Sequence, residues 1–232
     1  MKIIFTNTYD IALERWSPEP ASKNIPEWYR NLNSYINDEK RPDGKGNTTA
    51  TMKRCMPVFD MMTGGYIIPT WTDIYISDTE DGNVKIEAPE FEALGFHAAS
   101  QATGLPGIPA GSETLPKWFN PWGIKTPKGY SCLFLPPSFR DDSIFKILPG
   151  IVDTDEYTAP VNFPFIFTDP SYRGYIPAGT PMAQVIPFKR ESWDMEFGAE
   201  KEFFEQKGKK DNTKMVFFDG YKRFYRSKKE YK

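Results

Sequence analysis

At 232 residues the chain has room for one large domain with arms, and a core of useful size is within reach at this length. Twenty-nine Lys and Arg against 31 Asp and Glu give a net charge of −2, which excludes a polycation built for nucleic acid. Cys55 and Cys132 stand far apart in apolar settings and read as buried thiols, so nothing calls for an oxidising compartment.

Aromatics at 16% with 21 prolines point to many short strands, Pro-punctuated loops and few long helices, hence a mainly β fold. The opening "MKIIFTNTYD" is a short strand whose apolar run is too short for a signal peptide. No run approaches the ~18 apolar residues a membrane span needs, so the expectation is a soluble, cytoplasmic protein with no membrane partner. "SKNIPEWYRNLNSYI" reads as a helix with Asn24 as cap, Pro26 in the first turn and a sticky face of Trp28, Leu32 and Tyr35. A polar linker follows at about 37 to 49. This divides the chain into an N-terminal arm and linker (1–50), a β-rich core (51–195) and a basic tail (196–232).

In the core, "MKRCMPVFDMM" is a short helix stopping at Gly64-Gly65, with a strand starting at Tyr66. The alternation in "TDIYIS" and "NVKIEA", joined across "DTEDG", marks a hairpin. Residues 94–121 read as loop, "GLPGIPAGS" having neither the lysine nor the spacing of a phosphate cradle. From Trp122 to Phe188, "GIKTPKGYSCLFLPP", "SIFKILPGIVDTD", "APVNFPFIFTD" and "AGTPMAQVIPF" are strand pieces separated by Pro, Gly and Asp turns. Residues 66–188 are therefore expected to form a barrel or sandwich. Its core would draw on Cys132, Phe134, Val161, Phe163, Phe165, Ile166, Val185 and Ile186. "AEKEFFEQKGKK" predicts a helix, and the last ~30 residues carry a charge of about +6.

Few residues carry chemistry. Asp153 and Asp155 after a Pro-Gly turn form either a general-base or Mg-binding pair or, the favoured reading, ordinary turn chemistry. His97 is the only histidine, which leaves no second one for a zinc site, and a pair of His97 with Cys55 or Cys132 is far less favoured than buried packing. In the tail, Tyr221, Arg223 and Arg226, with Lys222, Lys228 and Lys229 nearby, form a nucleic-acid surface or a helix packing its aromatics. Packing is favoured, because positions 221, 224 and 225 have helical spacing.

The order "WGIKTPKGYSCLFLPPSF", "LPGIVDTDEYTAPVNFPFIF", "IPAGTPMAQVIPF" resembles successive strands of the trimeric dUTPases and their dCTP deaminase relatives over about residues 122–188. The resemblance implies a β-clip fold, to which the residues themselves add a helical N-terminal segment and a helical, basic tail. It places Asp153 where the family has the aspartate that activates water, Tyr157 beneath the sugar with Glu156 as an extra residue before it, and Ser138 facing phosphate. It makes Asp155, Arg140, Gln184 and Gly179 binding or motif positions, and Tyr66 and Asp73 the nearest match to a further family segment. Pro137 stands where the family has arginine, Arg140 lies two positions beyond the serine, and a basic aromatic tail replaces the glycine-rich closing arm. The whole chain also resembles an uncharacterised family of tailed phages and bacteria. These departures favour a cofactor-free, non-catalytic protein that binds or assembles. It would form a homotrimer or join other virion proteins, in a host cytoplasm or a virion. The alternative they imply is Mg-dependent nucleoside triphosphate hydrolysis or deamination, with Asp153, Ser138 and Tyr157 as catalytic residues.

Overall fold

The computed structural model describes residues 1–9, 14–39, 49–90, 92–106, 114–140, 142–198, 200–202, 204–208 and 220–232. In chain order its main elements are β1 (Ile4–Asn7), β2 (Glu19–Pro20), α1 (Glu27–Asn31), α2 (Met56–Met62), β3 (Tyr66–Pro69), β4 (Ile74–Asp78), β5 (Val84–Glu87) and β6 (Leu94–Ala98). They continue with β7 (Thr114–Trp118), β8 (Trp122–Lys125), β9 (Tyr130–Leu135), β10 (Phe145–Ile147), β11 (Gly150–Val152), β12 (Phe163–Phe167), β13 (Gly174–Ile176) and β14 (Pro181–Lys189). The fold is mainly β. Every strand pair among the described residues is antiparallel, which rules out a parallel sheet flanked by helices.

The strands make four sheets, ordered β11-β9-β14-β3-β2, β10-β12-β7-β6, β13-β4-β5 and β1-β8. One cluster of buried side chains joins all four, through Ile68, Ile74, Trp118, Trp122, Phe134, Phe163, Ile176 and Val185 among others. Of the expected core, Cys132, Phe134, Phe163, Phe165 and Val185 are buried, and Val161 packs against the cluster part-buried. Ile166 and Ile186 are half-buried. The alternation in β12, Phe163 and Phe165 inward with Pro164 and Ile166 less so, is that of a strand with one covered face. β14, lying between β9 and β3, is buried on both sides over Met182–Val185, as its neighbour β3 is over residues 67–69. Beyond Val185 it keeps β9 as its single neighbour, which is where Pro187, lacking an N–H, is tolerated.

Several expectations need correction. Residues 94–121 are not loop: β6 and β7 pair from Leu94↔Trp118 to Ala98↔Thr114. The phrase "GLPGIPAGS" lies outside the described residues from position 107 on. The helix expected over 22–36 is one short segment, α1, starting at Pro26 rather than at a capping Asn24, and Leu32 has left it with φ −68° and ψ 129°. The Asn24 side chain donates to Glu19 instead (2.6 Å), and Tyr29, not the Trp28–Leu32–Tyr35 stripe, is the side chain α1 buries. Asn31, Asn33 and Ser34 favour local side-chain hydrogen bonding over helix continuation. "GIKTPKGYSCLFLPP" and "SIFKILPGIVDTD" each split at their turns into two strands. The 37–49 linker lies outside the described residues from 40 to 48, and residues 201–202 and 204–208 of the helix expected around "AEKEFFEQKGKK" are helical.

The stop of α2 and the start of β3 follow from Gly64-Gly65 as expected. Gly65 has φ +73°, and a Cβ there would lie 1.9 Å from the Val185 carbonyl oxygen of β14. The strand therefore approaches its neighbour only because this residue has no side chain. Gly65→Ala should destabilise the protein by about 3 kcal/mol or more, measured by urea denaturation, through backbone strain and loss of β3–β14 pairing together.

Candidate functional site

The turn after β11 is built by its backbone first. Asp153 O accepts from both Glu156 N (3.0 Å) and Tyr157 N (2.8 Å), and Thr154 N donates to Val152 O (3.0 Å). Thr154, buried, bonds with Thr126 Oγ1 (2.8 Å) and donates to Cys132 Sγ (3.3 Å), which pins the turn to the β8–β9 connection. Burial raises the Cys132 thiol pKa, and the Thr154 hydroxyl only partly offsets that. This cysteine is a packing residue, and His97 pairs with Gln101 (3.3 Å), so neither sequence-level thiol–imidazole pairing is formed.

Both carboxylates of the turn meet one cation. Arg190, immediately after β14, reaches Asp155 through two bonds of 2.6 Å and Asp153 Oδ1 at 3.2 Å, and its Nη1 also donates to Ser131 Oγ (3.0 Å). Ser131 Oγ in turn donates to Asp153 Oδ1 (2.6 Å), and Gly129 N donates to Asp155 Oδ2 (2.7 Å). The Asp155 side chain is only 2% exposed, whereas Asp153 is 61% exposed. A fork-on-fork pair of this kind is among the stronger charge-assisted contacts. The Arg190 hydrogen bonds, aided by the Gly129 amide and opposed by partial desolvation, hold the Asp155 carboxyl down at about 2. Sequence reasoning missed Arg190; its only signal is its place after the apolar run "AQVIPF", and its role depends on the register that sets Lys189 opposite Tyr130.

Ser138 and Gln184 meet elsewhere. Gln184, fully buried on β14, accepts from Ser138 N (3.0 Å) and Ser138 Oγ (2.8 Å) and donates to Met61 O and Gly64 O (2.7 Å each). Its amide is thereby saturated. β9 and β14 pair Ser131 with Phe188 and Leu135 with Gln184, so within one chain the Ser138 turn and the Asp153 turn are about four residues, ~13 Å, apart along the strands. Arg140 does not face either group: it forks onto Asp142 (2.9 Å twice) and donates to Asn24 O (3.3 Å). Tyr157 is half exposed and borders a shallow hollow with Ile151, Val152, Asp153 and Glu156. Tyr66 donates to Lys232 O (3.3 Å), Asp73 accepts from Ala178 N (2.7 Å), and Gly179 lets Trp16 pack where a Cβ would lie 2.3 Å from the indole.

The end of the chain folds back onto α2. Arg226 forks onto Asp60 (2.6 and 3.0 Å), Lys229 adds a third contact (3.1 Å), and Tyr231 packs edge-on against Tyr66. The Arg226 hydrogen bond is the main cause that keeps the Asp60 carboxyl below its ordinary range. Arg226 is thus committed to an internal pair. Tyr221–Tyr225 form one π-helical turn that leaves Lys222 and Arg223 on the surface. Among the described residues no group of three His, Cys, Asp or Glu side chains is arranged to hold a metal, and no helix is long and apolar enough to cross a membrane. No family model matches the chain, and no curated protein matches it.

Two outcomes follow. Gln184→Leu strands the Gly64 carbonyl and the Ser138 donors and weakens the bonding of Met61 O, and should cost about 3–5 kcal/mol by chemical denaturation. The folded-state Asp155 value of about 2 lies below its ordinary 3.8, so the ionised, paired form contributes stability above about pH 4 that is lost as pH falls towards 2. A thermal-melting series over that window should show a steeper fall for the wild type than for Asp155→Asn.

Proposed function

We propose that this is a non-catalytic β-clip protein that acts by binding and self-assembly, as a homotrimer, in the setting of a phage particle or an infected cell. The observation that carries the reading is the pairing of both turn carboxylates with Arg190 and Ser131. A water-activating aspartate needs a free lone pair beside a bound water and substrate. Here Asp155 spends both oxygens on Arg190 and Gly129, and Asp153 spends Oδ1 on Ser131 and Arg190, which leaves it Oδ2 alone towards solvent. A nucleoside triphosphate also needs cationic donors, yet Arg140 and Arg226 are each forked onto an aspartate and Pro137 offers no donor.

Assembly is supported by apolar side chains left on the surface, among them Ile151 at 64% exposure and the stacked pair Tyr75 and Tyr175 on β4 and β13. The basic tail spends its most buried cation on Asp60, which supports packing over nucleic-acid binding as its role.

The deciding experiment pairs turnover with mass. Purified protein with Mg and each nucleoside triphosphate should release no phosphate or ammonia, and light scattering should give three copies per particle. Asp153→Asn should leave the mass unchanged and shift stability by about 1 kcal/mol or less, the scale of one exposed hydrogen bond. Turnover that Asp153→Asn abolishes would replace this reading with the nucleotide-processing one.

A further inference from the structure

After β14 the chain runs through residues 191–198 with no helix, strand, turn or bend. Three large apolar side chains stand there at every second position: Trp193 is 86% exposed, Met195 83% and Phe197 89%. When the segment is bound in an extended, strand-like form, this spacing puts the three on one side, with Asp194 and Glu196 on the other. No backbone hydrogen bond joins this stretch to another described residue. Its root is fixed, because Arg190 N donates to Gly129 O (2.8 Å) and the Arg190 side chain is held by Asp155. Leaving three such side chains in water forgoes the stabilisation that burying their apolar surface would supply.

A complementary surface exists on the same molecule. The folded-back end of the chain and α2 enclose an open groove of about 360 Å³, lined by Phe59, Thr63, Arg226, Lys228, Lys229 and Tyr231 among others. Phe59 and Tyr231 give it an aromatic floor. Its cations Arg226, Lys228, Lys229 and Lys232 outnumber the carboxylates they pair with, Asp60 and Glu230, by two. Lys228 and Lys232 are 74% and 87% exposed on its rim. An acidic, aromatic segment thus stands exposed, its backbone bonded to no other described residue, while a basic, aromatic groove of a size to take one aromatic side chain lies open.

We propose that the 191–198 arm of one copy docks in this groove of a second copy, with an apolar side chain on Phe59 and Tyr231 and Asp194 and Glu196 towards Lys228 and Lys232. The contact is head-to-tail, the arm of each chain entering the groove of the next, and a rotation that closes after three copies makes a ring. The inference rests on the assembly reading above and names its contact.

Because donor and acceptor surfaces differ, the contact can be tested by complementation. An arm variant (Trp193→Ser, Met195→Ser, Phe197→Ser) and a groove variant (Lys228→Glu, Lys232→Glu) change exposed side chains only, and circular dichroism checks that both fold. Each alone should sediment as a monomer. Mixed one to one, they retain a single competent contact per pair and should form a heterodimer. A fluorescein-labelled peptide of residues 190–198 should bind the arm variant, lose at least about tenfold in affinity for the groove variant, and weaken as salt rises. An arm variant that keeps the wild-type mass, or a peptide that binds both variants equally, overturns the docking while leaving assembly standing. A wild type that is monomeric at ~100 μM, where a specific interface would be occupied, overturns both.

Discussion

One buried side chain holds three parts of this fold that are far apart in sequence together. Gln184 sits in the middle of the central strand, at 0% exposure, where an amide is tolerated only with all its bonding capacity used. Its two N–H groups take the carbonyl of Met61, which otherwise has only backbone donors of the helix end such as Gly64 N (3.4 Å), and the carbonyl of Gly64 just past α2, and its oxygen takes both donors of Ser138. The helix stop, the Gly65 close approach and the turn after β9 are therefore one polar unit. Moving any of them leaves a buried group unpaired, at a cost comparable to a large fraction of a domain's net stability.

The resemblance that drew attention to Asp153, Ser138 and Gln184 acquires a different physical meaning in this setting. The residue types that suit a phosphate and sugar site also suit a tight turn between strands: aspartates accept backbone amides, serine caps, glutamine bridges. What distinguishes the two uses is the cation. Here Arg190 comes from the end of β14 and pairs with the turn's carboxylates from within the chain. The same substitution of internal for external partner recurs at Arg140 with Asp142 and at Arg226 with Asp60.

Much of the strand content was legible because apolar runs bounded by Pro, Gly and Asp are a local signal: the β4–β5 hairpin, β3 after Gly65, and β12 and β14 all stand where pattern placed them. β6 and β7 escaped because their evidence is non-local. Leu94-Gly-Phe-His-Ala98 and Thr114-Leu-Pro-Lys-Trp118 are weak strands singly, with Gly95 and Pro116 inside them, and gain strand character from each other and from the burial of Trp118. In the site, the grouping of Asp153 with Asp155 was local and readable, whereas Arg190 and the separation of Ser138 from Asp153 follow from the β9–β14 register, which no short window of sequence encodes.

β14 is the element on which these arguments converge. At Gln184 it is tied to α2 and to the Ser138 turn, at Arg190 to the Asp153 turn, and between them it pairs with β9 throughout. The seven residues from 184 to 190 therefore have little freedom left. A segment that begins at a point so constrained is presented to solution in a narrow range of directions, which reduces the ordering entropy lost when it meets a partner. A free tail with the same Trp193, Met195 and Phe197 would lose more of that entropy on docking, and would be as apt to collapse onto its own chain. Anchoring by Arg190 thus links two parts of the molecule: the arginine that pairs with both carboxylates of the Asp153 turn is also the residue that fixes where the exposed apolar arm starts.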